Sequence, residues 1–222
     1  TSSQIQSELE DYVSGIANTE GTADLITPNA VYDVRLYSII YETIDQFGQY
    51  AEASGSVALP DNYNFAYPLY LIGHGTQIRR TDAPSMKGFE LLNRWLPSEG
   101  YIYLEPDYLG LGVSEILHPY HLKDVTASSM IDMIYATKSL CDELEVAQYN
   151  NQLFIAGYSE GGYATMAAVK EIEENYNNID ITMSFPMAGA YDLSGTMVDL
   201  MLSEEVYQDP FYLPFFVLSY IE

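Results

Sequence analysis

The 222 residues of this chain suffice to bury one sizeable core, as in a single α/β domain. Eight Lys and Arg against 32 Asp and Glu leave a formal net charge of −24, which repels nucleic acid and anionic membrane surfaces. No run of about 18 apolar residues occurs, so no membrane-spanning helix is expected. All eight basic residues lie between Arg35 and Lys170, and from Glu171 onward ten acidic residues meet no basic one. Such asymmetry fits salty or extracellular surroundings, or simply a solvated acidic surface. A secreted or extracytoplasmic location is the expectation, although Thr1-Ser2-Ser3-Gln4 carries neither the basic nor the apolar region of a signal peptide. The single cysteine, Cys141, cannot form an internal disulfide and is expected to pack as a small hydrophobe.

Residues 1–30 are polar with scattered apolar positions and read as a lead-in helix or loop. Val34 to Ile44 is rich in β-branched and aromatic residues and predicts a strand. Tyr50 to Leu59 predicts its antiparallel partner at a sheet edge. Three short apolar runs follow, Tyr67–Ile72, Tyr101–Leu104 and Gln152–Ala156, separated by helix-length segments. The first segment, Lys87 to Leu96, places Phe89, Leu92 and Trp95 at helical spacing. The second, Thr126 to Leu144, puts Met130, Met133, Ile134, Cys141 and Leu144 on one face. Strands alternating with helices in this way predict right-handed crossovers and a mainly parallel sheet. A further strand is expected over Ile179–Phe185, and no internal repeat is evident.

Gly157-Tyr158-Ser159-Glu160-Gly161 stands between the run ending at Ala156 and an amphipathic helix carrying Ala164, Met166, Ala167, Ala168 and Val169. G-x-S-x-G in that setting is the nucleophile elbow of an α/β-hydrolase, a sharp strand-to-helix turn that lifts a serine hydroxyl above the sheet edge. Small residues flank the serine because the turn is strained and crowded. The helix N-terminus behind it favours a developing oxyanion, and the backbone N–H of Glu160 is one expected donor.

Three more segments sit in matching context: Gly73-His74-Gly75-Thr76 after a buried strand, Glu105 to Gly112 after the next with His118-Pro119-Tyr120 beyond, and Gly189-Ala190-Tyr191-Asp192-Leu193. Together with the elbow they resemble the secretory-lipase (lipase-A-like) family of α/β-hydrolases over roughly residues 35–200. The resemblance implies serine-dependent hydrolysis of carboxylic esters, often acylglycerols, without a cofactor. It also implies an α/β-hydrolase core over 1–195 and the beginning of a helical cap over 196–222. By the same analogy Thr76 supplies the second oxyanion N–H, His74 shapes its loop, and Asp107 and Tyr108 fix theirs.

One feature conflicts with that pattern. The only histidines are His74, His118 and His121, and none follows Ser159, whereas the usual order is Ser, then Asp or Glu, then His. The expectation is that neither His118 nor His121 is the general base, and that a further C-terminal fragment carries the triad acid and base. Asp192 is either a triad acid or a turn residue satisfying backbone N–H groups. No H-E-x-x-H, cysteine pair or D-x-D-x-D-G loop points to a metal. The apolar tail Pro210–Ile221 could line an acyl-chain pocket or serve as an ordinary core element. Two alternatives stay open: a non-catalytic binding module using the same cleft, to which the 21 tyrosines would be suited, and a peptidase or acyltransferase on the same elbow.

Overall fold

A computed structural model describes residues 1–20, 29–203 and 210–221. The opening helix α1 spans Ser2–Glu20, settling the helical alternative for that stretch, while 21–28 lie outside the described residues. Ile5 and Leu9 are the buried side chains of its first turns, and Arg94 reaches back to Glu8 at 2.7 Å.

Six strands form one sheet: β1 Val34–Ile44, β2 Tyr50–Pro60, β3 Ala66–Gly73, β4 Ile102–Pro106, β5 Gln148–Tyr158 and β6 Met183–Met187. Their order is β1-β2-β4-β3-β5-β6. β1 pairs with β2, and β2 with β4, in antiparallel fashion; the other three pairings are parallel. Mostly parallel strands with an antiparallel N-terminal edge are what the apolar runs predict. The central strands read as unbroken apolar runs because both faces are covered. Leu69, Leu71, Ile102, Leu104, Leu153 and Ile155 are fully enclosed, each worth roughly 1.5–3 kcal/mol of burial.

The helices between strands are α2 Pro84–Lys87, α3 Leu91–Ser98, α4 Lys123–Leu144 and α5 Glu160–Asn175. The crossover from β3 to β4 runs one way along the sheet, and those from β4 to β5 and β5 to β6 run the other. Right-handed connections therefore put α3 on one face and α4 with α5 on the opposite one. Adjacent strands β3 and β5 lead off in opposite directions, which opens a crevice beyond their C-terminal ends.

Several boundaries differ from expectation. The predicted helix over Lys87–Leu96 is two helices. Pro84 starts a one-turn segment, Gly88 turns the chain out at φ 83°, and α3 begins only at Leu91, so Phe89 lies between them. In α4, Met130, Met133, Ile134 and Cys141 are buried as expected, whereas Leu144, at the end, is 40% exposed. The strand expected from Ile179 pairs only from Met183, and Thr182 ties the approach to Leu153 through two hydrogen bonds.

After β6 come a π-helical turn Leu193–Met197, α6 Val198–Leu202 and α7 Tyr212–Ile221, with 204–209 outside the described residues. α7 seats Phe216 against the rings of Tyr120 (4.9 Å) and His121 (5.0 Å). Its Ser219 hydroxyl accepts from the Tyr120 N–H at 2.8 Å, and its one proton is shared between the Phe215 carbonyl at 2.8 Å and the His118 carbonyl at 3.2 Å. Among the described residues β6 is the last strand, and Met183, Phe185 and Met187 stay exposed on alternate positions.

Candidate active site

β5 ends at Tyr158, α5 begins at Glu160, and Ser159 between them takes φ 59° and ψ −120°. A non-glycine residue held there costs about 1–3 kcal/mol, and such strain concentrates at functional positions. Packing holds the turn in place. The Ser159 N–H donates to the Met187 carbonyl at 3.0 Å, and a Cβ at Gly157 would lie 2.1 Å from the Gly161 carbonyl oxygen. The serine side chain stands at the crevice between β3 and β5. Gly75, in the loop after β3, lies beside it: a Cβ built there would be 4.0 Å from the Ser159 Cβ. Thr76 follows in the same loop and shares a 2.8 Å hydroxyl contact with Tyr120. Glu160, as the first residue of α5, has a backbone N–H with no intrahelical acceptor. The elbow, Gly75-Thr76 and the Glu160 N–H thus converge on one place.

The three histidines fare differently. His74 has Nδ1 2.8 Å from the Gly75 carbonyl and Nε2 3.1 Å from the Asp107 carbonyl, so both nitrogens are occupied by its own loop and its neighbour. His118 sets Nδ1 2.7 Å from the Leu109 carbonyl and Nε2 2.8 Å from Glu160 Oε1. Burial opposes charge on that ring, but the Glu160 carboxylate and the two hydrogen bonds outweigh it, so His118 keeps its proton above the usual imidazole range. Burial likewise opposes ionisation of Glu160, yet the His118 cation holds its carboxyl below the usual carboxylate range. His121 is buried, with neither ring nitrogen hydrogen-bonded among the described residues. Burial, only partly offset by Glu160, pushes it down to about 4.

Asp107 is completely buried. It accepts from the Ser54 and Ser85 hydroxyls and from the Ser85 N–H at 2.8 Å, which ties the loop after β4 to β2 and α2. Tyr108, at φ 66°, donates to the His74 carbonyl at 3.3 Å. Asp192 is exposed and caps the turn after β6. It accepts from the Gly195 N–H at 3.1 Å and from the Thr196 N–H and hydroxyl at 2.9 Å each, and these bonds lower its carboxyl below the usual range. It does not line the cavity at the serine.

That cavity, of about 180 Å³, is lined by Ser159, Glu160, His121, Ala188, Met197 and Phe216 among others. A second, mostly apolar cleft of about 270 Å³ is lined by Leu193, Val198, Met201, Phe216 and Tyr220. Phe216 belongs to both, so the two spaces adjoin across one ring. Among the described residues no cluster of three His, Cys, Asp or Glu side chains could hold a metal ion.

Sequence reasoning takes the Glu160 side chain only as shaping the pocket, with its backbone as the participant, and missed its pairing with His118. A charged residue at the buried start of a helix requires a partner, and with three histidines available that demand was the signal. It also missed Ser219, whose hydroxyl joins α7 to the loop carrying His118 and Tyr120.

The sheet order and the strained serine between β5 and α5 define the α/β-hydrolase fold. Solved structures agree. A protein provisionally assigned as a hydrolase from Legionella pneumophila is 32% identical, with a TM-score of 0.78 over 94% of this chain and 56% of that one. The rice cell wall degrading esterase LipA from Xanthomonas oryzae is 32% identical, with a TM-score of 0.68 over 85% of this chain and 49% of that one. Candida antarctica lipase A in its closed state, at 14% identity, shares the fold alone, with a TM-score of 0.53 over 74% of this chain and 43% of that one. The chain thus spans about half the length of these relatives. No family model matches, and no curated protein matches by sequence.

Proposed function

We propose that this chain carries the nucleophile and oxyanion site of a serine-dependent carboxylic ester hydrolase of the secretory-lipase type. The observation that carries this reading is Ser159 at φ 59° on the elbow, beside Gly75 and opening on a cavity. Ser159 Oγ attacks the ester carbonyl carbon and gives its proton to a general base. The N–H groups of Thr76 and Glu160 hold the resulting oxyanion. Collapse expels the alcohol, which takes the proton, and water then releases the acid from the acyl-serine by the same path. No cofactor enters these steps. The apolar cleft beyond Phe216 accommodates the acyl chain of a small-molecule or lipid ester.

The triad acid and base come, on this reading, from polypeptide outside the present sequence. Three observations support that: both nitrogens of His74 and of His118 are engaged; His121, though it lines the cavity, makes no hydrogen bond to Ser159 and packs against the Tyr120, Tyr163 and Phe216 rings; and the chain matches about half of its relatives. Residues 1–195 then form the first part of the hydrolase core and 196–222 the beginning of a cap. A secreted or extracytoplasmic location, with no nucleic-acid partner, belongs to the same proposal and rests on the acidic surface.

The deciding experiment is covalent capture by a fluorophosphonate, with the adduct located by peptide mass spectrometry. An adduct on Ser159 that is absent from Ser159→Ala supports the hydrolase. A folded chain left unmodified over hours favours a non-catalytic binding module. Turnover of a p-nitrophenyl ester by this chain alone would place a working base within it.

A further inference from the structure

We propose that His118 is a positioning residue for this reaction: by clamping the Glu160 carboxylate it neutralises the charge beside the oxyanion site and fixes the N–H that serves it. The inference rests on the reading of Ser159 as a nucleophile. Glu160 directly follows the serine, so its side chain brings a negative charge to the place where the reaction must develop another. Left alone, that carboxylate would oppose the oxyanion its own backbone stabilises. The clamp prevents this. Glu160 is 3% exposed and His118 8% exposed, and they meet at 2.8 Å out of reach of solvent.

The far side of the ring decides its state. Nδ1 faces the Leu109 carbonyl at 2.7 Å while Nε2 faces a carboxylate, so only a doubly protonated ring can donate to both. The histidine itself is anchored. A Cβ at Gly110 would fall 2.2 Å from the His118 Cα, and the Tyr108 ring lies parallel to the imidazole at 6.3 Å. The loop after β4 thereby holds the first residue of α5 through one ion pair. The titratable groups facing Glu160 are His118 and His121 from that loop, His74 from the loop after β3, and Tyr108, whose phenol burial and the Glu160 charge push up.

Two measurements on the full chain test the role. Imidazole ¹⁵N spectra should show both nitrogens of His118 protonated at pH 7.5, where a free imidazole is about 90% neutral; a neutral His118 at that pH overturns the proposal. Fluorophosphonate capture of Ser159 needs one attack rather than turnover, so residual reactivity suffices. His118→Gln should slow it about 30-fold, and adding Glu160→Gln should restore at least about fivefold, because a neutral pair no longer opposes the oxyanion. A purely packing role predicts no recovery, and that result overturns the positioning role while leaving Ser159 as the nucleophile. A parent chain that is never captured brings down the serine reading and this role with it.

Discussion

Gly161 meets the carbonyl of Gly73 so closely that a Cβ at position 161 would lie 1.9 Å from that oxygen. The contact joins the first turn of α5 to the end of β3, and so holds the nucleophile against the loop that carries Thr76. Both partners are backbone, so neither can swing away. Gly161→Ala should therefore destabilise the fold by about 3 kcal/mol, at the upper end of overpacking costs. A urea midpoint shift of that size at unchanged slope would bear this out; no shift would mean the elbow is looser than described.

Strain at the serine has its own signature. With φ 59° and ψ −120°, any side chain at 159 resists the native backbone, whereas glycine accepts it. Ser159→Gly should be more stable than Ser159→Ala by about 1–2 kcal/mol, a reversal of the usual Ala–Gly order. Comparing the two variants by chemical denaturation checks it directly.

The buried imidazoles make stability depend on pH in two opposite ways. His121 falls to about 4 in the folded chain, against about 6.5 unfolded. The unfolded state therefore binds its proton first, and stability is lost as pH drops from about 6.5 towards 4, by up to about 3 kcal/mol. His118 is raised, so its contribution is complete below about 6.5 and fades as pH rises through its folded value. Glu160, lowered, adds a further loss only at pH below the usual carboxylate range. Stability should peak near pH 6.5. His121→Asn, which tolerates the φ of 57° at that position, should flatten the acid limb in denaturant titrations between pH 4 and 7.

Asp192 spends both carboxylate oxygens on the turn after β6. Asp192→Ala should leave fluorophosphonate capture of Ser159 within about twofold, while a loss near 10³-fold would return it to the catalytic machinery. The turn itself should loosen, which amide exchange at Gly195 and Thr196 would report.

Much of the fold was readable because it obeys local rules. Val34–Ile44 is long enough and β-branched enough to declare itself, and Tyr50–Leu59 follows it at hairpin distance as its pairing partner. The elbow combines a steric requirement with a motif, so Ser159 could be placed from five residues. The helix expected across Lys87–Leu96 failed because spacing was weighed above punctuation: Pro84 and Gly88 bracket a separate turn. The site was legible only in its backbone parts. His118 and Glu160 stand 42 residues apart in the chain, and their pairing depends on how the loop after β4 folds across the head of α5. Local periodicity carries no information about that. Asp107 was expected to fix its loop, but its partners were hidden for the same reason, since Ser54 and Ser85 come from a strand and a helix that only the sheet order brings near.

Cys141 lies 2% exposed on the inner face of α4, and burial pushes its thiol up to about 12. Thiolate is the reactive form, so at neutral pH this sulfur is inert towards maleimides while the chain stays folded. For labelling, the native protein therefore behaves as though it had no cysteine. A single one introduced at exposed Val217 on α7 would take a fluorophore alone, and quenching by tyrosine rings would then report whether that helix shifts when Ser159 is captured.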